Sequence, residues 1–439
     1  MSALAELLVD CGVLVTACDR VPSSRLDSLS HRGIRTWIGH DPADHLAGAR
    51  TVIHTAAIGR DHPELAAARA RHLGVVPRSL VLGRLSRAIR SVCVAGSHGK
   101  STVTALVAHI LVLAGREPGY LIGGVLQGQD RGGALGRGEV VVVETDEFDR
   151  SIERVAPALA VITNIEPEHL DIYGSLDRLT AAFTRYARRA SGGVVVWNDG
   201  MAARAVSSLP AGRVIRCGMG SGGDVTCAVT RRFGPRFRVA IRLPDGTTIH
   251  ANLALSGLHN VQNATLAAAV AWRRGVSSET IASGLETYPG LMRRFEVLGT
   301  AGESMLISDY AHHPTEIRAT LATAALYGKP VVAVFQPHLH SRTALLFDDF
   351  ARSFNAAARV VVTPVYAARE TPLPGITGKR LAEAIRARGI PAEHAEPGDA
   401  LHSLLAPLPA LGVTMVFLSA GDLDGFARQF AAEECGAGG

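Results

Sequence analysis

The sequence predicts an α/β protein of about three domains. Short, β-branched apolar runs alternate with helix-like segments along most of the chain, which is the pattern of parallel α/β units. The length of 439 residues, at roughly 150 residues per domain, gives the count. The composition, 47% apolar against 19% charged, supplies enough apolar surface for several buried cores. It excludes a disordered tail protein, a collagen-like chain and a small disulfide scaffold.

Taken in order, Ser2–Cys11 is an amphipathic helix. The strand signals that follow it are 12–17, 34–38 and 51–55, so residues 1–89 form a first α/β segment. A second begins at Ser91, where SVCVAG is a buried strand, SHGKS a turn and 102–114 a helix. Val140–Val143 and Leu159–Ile162 are further buried strands, ending in the polar runs ETDEFDRS and TNIEPEHLD. Ligands of open parallel sheets bind beyond the carboxyl ends of strands, so three polar clusters after three buried strands predict one shared site. Residues 192–255 turn to short alternating segments with glycine turns, which predicts a mixed or antiparallel insert, and 260–273 is an Ala-rich helix. A third α/β segment starts near Gly290, with strands at 305–307, 331–335, 360–362 and 414–418.

No apolar stretch reaches the roughly 18 residues of a membrane span. The N-terminal MSALAELLVDCG lacks a basic segment and a small-residue cleavage site, which predicts no signal peptide and a cytoplasmic address. The formal net charge of +5 is too small for a nucleic-acid footprint. Only three lysines occur, Lys100, Lys329 and Lys379, so a lysine held in a glycine-rich turn stands out against a bias toward arginine. The six cysteines form no CxxC pair, and no histidine cluster has zinc spacing. They read as small buried residues of a reducing compartment.

The strongest local signal is Gly96-Ser97-His98-Gly99-Lys100-Ser101-Thr102. Glycines let the backbone approach phosphate oxygens, and the helix N-terminus that follows binds the anion. Lys100 is placed to reach terminal phosphates and Ser101 to offer a hydroxyl to Mg²⁺. Val94 stands where the strict pattern has glycine, so the match is partial, and the bland alternative is an ordinary strand-to-helix turn. Glu144, Asp146, Glu147 and Asp149 crowd the end of the next strand, and Glu166, Glu168, His169 and Asp171 the end of the one after. Alone each cluster reads as a solvated acidic turn. Beside a phosphate loop they read as Mg²⁺ ligands, because Mg²⁺ takes oxygen donors and needs only one or two carboxylates plus nucleotide phosphates.

In this context the sequence resembles the Mur ligases. The carrying motifs are AGSHGKSTVTA (95–105), VVETDEFDRS (142–151), ITNIEPEHLDIYG (162–174), LHNVQNATLAAAVA (258–271), MRRFEVLG (292–299), SDYAHHPTEI (308–317), FQPHLHSRT (335–343) and SAGD (419–422). Each alone is weak, but eight in the family's order are specific. The resemblance implies a Rossmann-like N-terminal UDP-sugar-binding domain (1–89), a central P-loop ATPase-type parallel sheet (90–290) and a C-terminal Rossmann-like, amino-acid-binding domain (291–439). It implies ATP and Mg²⁺, with UDP-N-acetylmuramate and L-alanine joined through an acyl phosphate in peptidoglycan precursor synthesis. It implies neither nucleic acid nor membrane as a partner, and a monomer or homodimer.

The resemblance also implies roles. Lys100 stabilises the β/γ-phosphates within the loop Gly96, Ser97, His98, Gly99, Ser101 and Thr102. Ser101, Glu144 and His169 serve metal sites. His259, Asn260 and Asn263 match the adenine-contacting segment. Arg294 and Asp309 meet the nucleotide, and His312 and Arg342 lie near the incoming amino acid. Bland readings stand beside these: Asn260 and Asn263 as helix caps, the 293–294 arginine pair as a solvated linker, 309–313 as a self-packed loop.

Four departures qualify the match. Leu258 stands where the family has arginine in GRHN, and Ser308 where it commonly has aspartate. Leu339 replaces an arginine in the segment expected to hold the amino-acid carboxylate, and leucine cannot bind a carboxylate bidentately. The family opens on a strand and glycine-rich loop that contact UDP, whereas this sequence starts at the Met-Ser following them. A misassigned start codon is the expected cause. These losses keep two alternatives open: a paralogous carboxylate–amine ligase with a different substrate, and a nucleotide-binding protein without ligase chemistry.

Overall fold

The computed structural model describes residues 1–368 and 370–436, with the side chain of Asp171 lying outside the described residues. Two compact units divide the chain. One comprises Met1–Thr230, Val239–Ala254 and Asn260–Pro289, the other Arg231–Arg238, Leu255–His259 and Gly290–Gly439.

The larger sheet has ten strands. At its centre Arg90–Ala95 pairs in parallel with Val140–Glu144 on one side and Leu159–Ile162 on the other. All three are buried on both faces, hence their unbroken apolar runs. Their adjacency brings the three polar clusters to one end of the sheet, as the sequence predicts. The expected insert at 192–255 is not separate: Val194–Trp197, Val214–Met219 and Val225–Phe233 continue the same sheet, each joint parallel. The alternation that suggested an insert belongs to the outer strands Arg236–Arg242 and Thr248–Ser256, which bury every second residue because one face meets solvent.

Ahead of this sheet stand two separate parallel pairs, Thr16–Asp19 with Arg35–Ile38 and Thr51–His54 with Gly74–Pro77. The first strand starts later than its sequence signal. Helix Ser2–Asp10 closes on Gly12, whose φ of +76° ends it with a left-handed turn, and Leu14 beyond it is 96% exposed. The helix itself is held firmly. Leu4 and Leu7 join Leu82, Val143 and Ile162 in one core, each worth about 1.5–3 kcal/mol on burial. The Glu6 carboxylate accepts the N–H groups of Gly132 (2.9 Å) and Gly133 (2.8 Å). A Cβ at Gly133 would lie 1.9 Å from the Ala3 carbonyl oxygen, so only glycine permits this approach.

The second unit carries a six-stranded sheet in the order Glu296–Ala301, Ser304–Asp309, Thr414–Leu418, Val331–Phe335, Arg359–Val362, Ala392–His394. Its first pair is antiparallel and the rest parallel. Alternate residues face two cores: Ile307, Phe335, Val416 and Leu418 on one side, Leu306, Val334, Met415 and Phe417 on the other. Period-2 packing on both faces fixes the register, since a one-residue slip would exchange the two sets. No helix among the described residues is long and apolar enough to cross a membrane.

Candidate active site

The loop after Arg90–Ala95 is set by two glycines. Gly96 has φ +140°, and a Cβ there would fall 2.0 Å from Thr163 Oγ1. Gly99, at φ +79°, caps helix Lys100–Leu113, and its Cβ would meet Asn263 Oδ1 at 2.5 Å. Both positions need glycine for conformation and for space. The loop is tied to the neighbouring strand end. The backbone N–H of His98 donates to Asn164 Oδ1 (2.8 Å), while Thr163 Oγ1 (2.6 Å) and Asn164 Nδ2 (3.1 Å) donate to the His98 carbonyl. Ser97 Oγ accepts from the Glu166 N–H at 2.9 Å. Thr163 and Asn164 are therefore loop-holding residues that motif reading passed over. Their signal was the polar TN pair closing an apolar strand.

Lys100 opens the helix with its ammonium folded over the loop. Nζ donates to the Gly96 carbonyl (2.7 Å) and to both oxygens of Glu147 (3.2 Å each), with Asp146 at 4.0 Å. Burial alone would lower its pKa, but Glu147, Asp146, Glu168 and Glu144 outweigh it and hold the group above the ordinary lysine value. Lys100 is thus a fixed cation. Ser101 Oγ donates to Glu144 Oε1 (3.0 Å), and Glu144 Oε2 accepts the Gly123 N–H (2.6 Å). His169 takes a left-handed backbone at φ +53° and gathers with Asp146 and Glu147, potential ligand atoms lying within 4.8 Å of one another. Of the predicted metal residues, the structure pairs Ser101 with Glu144 and places His169 with Asp146 and Glu147. Asp149 turns instead to Arg78, at 2.7 Å. Thr102 is buried in the helix, and buried Asn263 donates to Asn260 Oδ1 at 2.9 Å.

In the second unit, Asp309 ends the strand Ser304–Asp309. Its carboxylate accepts the N–H of Phe295 and of Ala311, each at 2.7 Å, and burial pushes its pKa up to about 6 against the pull of Arg294. Arg294 lies over the Tyr310 ring (5.0 Å) and 3.8 Å from Glu316. His312 Nδ1 sits 2.9 Å from the Tyr310 carbonyl and 3.5 Å from Glu316. Burial lowers its pKa to about 3, in spite of Glu316, so the imidazole is neutral. Arg342 Nη1 stands 3.5 Å from His338 Nδ1, and the His338 ring is 5.8 Å from that of His312. Arg294, His312 and Arg342 are thus linked in one chain through Glu316 and His338. Glu316, which faces both Arg294 and His312, was missed; its signal was the i,i+4 spacing from His312. His259 lies beside Gly257, whose φ is +91°. Among the departures, Leu258 is exposed, Ser308 Oγ donates to Asp424 Oδ1 (2.6 Å), and Leu339 has φ +70°.

Fold and site together define a parallel α/β protein with a glycine-bounded strand–loop–helix junction flanked by carboxylates. Comparison with known proteins gives the family. Residues 1–90 match the Mur ligase family catalytic domain, 94–271 the Mur ligase middle domain and 293–420 the Mur ligase glutamate ligase domain. The chain is 37% identical over 448 residues to a UDP-N-acetylmuramate–L-alanine ligase of Xanthomonas campestris, covering 99% of this chain and 93% of the relative. A protein of the same name from Acidithiobacillus ferrooxidans is also 37% identical, over 442 residues, 98% of this chain and 94% of the relative. The crystal structure of UDP-N-acetylmuramate–alanine ligase from Thermotoga maritima superposes with a TM-score of 0.84 at 27% identity, covering 100% of this chain and 97% of that one. The chain belongs to the Mur ligase family and has its three-part α/β architecture.

Proposed function

We propose that the protein is an ATP-dependent ligase joining L-alanine to the lactyl carboxylate of UDP-N-acetylmuramate, in peptidoglycan precursor synthesis. The name shared by relatives 37% identical over nearly the whole chain supports the substrate pair. The observation that carries the chemistry is Lys100, a permanently charged ammonium at the N-terminus of a helix, directly after a left-handed glycine. We divide the chain into a UDP-sugar domain (1–89), an ATP domain (90–290) and an amino-acid domain (291–439).

A lactyl carboxylate oxygen attacks the γ-phosphorus of ATP, releasing ADP and leaving an acyl phosphate. The amine of L-alanine then attacks the acyl carbon. The tetrahedral species collapses to the amide and inorganic phosphate, the amine proton passing to solvent or a base. Charge accumulates on the transferring phosphoryl oxygens, so fixed cations matter most. In this reading Lys100 and the N–H groups at the start of its helix hold the β/γ-phosphates. Ser101 and Glu144, a hydroxyl and a carboxylate 3.0 Å apart, are hard oxygen donors of the kind Mg²⁺ selects. They would hold one such ion, and His169, gathered with Asp146 and Glu147, is assigned to a metal site as well; a bound cation there would neutralise phosphate charge. Asn260, Asn263 and His259 are assigned to adenine, Arg294 and Asp309 to the nucleotide, and His312 and Arg342 to the amino acid. Arg342 is the cation left for the carboxylate of alanine, given Leu339.

The test is phosphate release with ATP, UDP-N-acetylmuramate and a panel of amino acids. Release that requires all three substrates, with L-alanine preferred, is the expected result. Turnover with another amine and none with L-alanine would reject the assignment.

A further inference from the structure

Sequence spacing gives the cysteines no metal partner, yet the fold assembles one set of ligands that spacing separates. In the first unit, Cys18 lies in strand Thr16–Asp19, His40 follows strand Arg35–Ile38, and His45 ends the short helix Pro42–His45. His62 caps helix Pro63–Ala70, whose first turn contains Glu64. All five side chains converge. The Glu64 carboxylate is buried at the centre: Oε1 bonds His45 Nδ1, while Oε2 is 3.2 Å from His40 Nδ1 and 3.3 Å from Cys18 Sγ. Cys18 Sγ and His40 Nδ1 are themselves 3.8 Å apart. His62 meets the His40 ring edge-on at 4.4 Å.

Two considerations separate a cation site from a hydrogen-bond network. The first is pairing. The Cys18 thiol donates to Glu64 and two imidazoles lie against the same carboxylate, which leaves the buried Nδ1 of His62 with no hydrogen-bond partner among the described residues. A cation that displaced the donated protons would engage the thiolate, the imidazole nitrogens and the lone pair of His62 together. The second is spacing. Nitrogen ligands about 2.0–2.1 Å and a sulfur about 2.3 Å from a tetrahedral ion stand roughly 3.5 Å from one another. The 3.2, 3.3 and 3.8 Å separations fall around that value. Potential ligand atoms of Cys18, His45 and Glu64 lie within 4.8 Å of one another, as do those of His40, His62 and Glu64.

We propose that Cys18, His40, His45 and Glu64 bind one zinc-type divalent transition-metal ion, with His62 as the adjoining ligand. Thiolate and imidazole donors select such an ion over Mg²⁺ or Ca²⁺, which take oxygen. Binding displaces the Cys18 proton to solvent. Cys18, His40 and His45 belong to the first two-stranded pair and its connections, whereas His62 and Glu64 follow the first strand of the second pair. Those pairs form separate sheets, so the ion would join them where backbone hydrogen bonds do not. Its role is structural, and it is independent of the ligase reading.

The test uses the full-length protein stripped with chelator and reloaded with Zn²⁺ or Co²⁺. Expected are one equivalent of bound metal by elemental analysis, a rise in Tm, and a thiolate-to-cobalt charge-transfer band that Cys18→Ser abolishes. Cys11→Ser, altering an exposed thiol, should leave the band intact. His45→Gln, checked for folding by circular dichroism, should lower the affinity at least tenfold. Absence of stoichiometric binding, or a cobalt spectrum indifferent to Cys18→Ser in folded protein, would overturn the proposal.

Discussion

Replacing Lys100 with methionine separates two jobs of one side chain. The Lys100 side chain is 12% exposed and that of its partner Glu147 fully buried. Removing one member of a buried ion pair strands the other, at a cost of about 3–5 kcal/mol. The loss should depend on pH. Burial raises the Glu147 pKa above the ordinary glutamate value, and Lys100 opposes that shift. Without Lys100 the folded state binds this proton more tightly still than the unfolded state does, so stability falls as pH rises above the glutamate range. Lys100→Met should therefore be less stable at pH 8 than at pH 6 by urea unfolding. The double variant Lys100→Met/Glu147→Gln carries no stranded charge and should recover most of the loss at both pH values. Turnover should not recover, since a missing fixed charge costs about 100–1000-fold in kcat. Equal stability of single and double variants at pH 8, or restored turnover in the double, would refute the reasoning.

Other outcomes follow from the same geometry. Gly99→Ala forces a left-handed alanine, at about 1–2 kcal/mol, and pushes Asn263 by its Cβ; ATP affinity by calorimetry should fall at least tenfold. Glu144→Gln removes a hard charged donor, and the Mg²⁺ concentration for half-maximal turnover should rise about 10–100-fold. Asp309 has a folded-state pKa of about 6 against 3.8 unfolded. The folded protein binds that proton first, so stability declines as pH rises through this window, and Asp309→Asn should flatten the decline in thermal melts.

The fold was legible where burial made the text uniform. Val331–Phe335 and Thr414–Leu418 are buried on both faces and read as unbroken apolar runs, with the same limits in the structure. Gly12–Ala17 misled because Val13 and Val15, though β-branched, lie in a connector after a helix-ending glycine. The turn between Arg90–Ala95 and Lys100–Leu113 was legible because its glycines punctuate a buried strand and a helix. What holds that loop, Thr163 and Asn164, was not, because it depends on which strand lies alongside. The same holds for Glu64: nothing in Cys18, His40, His45 and His62 as text places them around one carboxylate.

The central step of the proposed reaction is an acyl phosphate made from the lactyl carboxylate. Positional isotope transfer measures this directly, using UDP-N-acetylmuramate labelled with ¹⁸O in that carboxylate, together with ATP and L-alanine. One labelled oxygen should appear in the inorganic phosphate for each amide formed. Amide formation with wholly unlabelled phosphate would contradict the account.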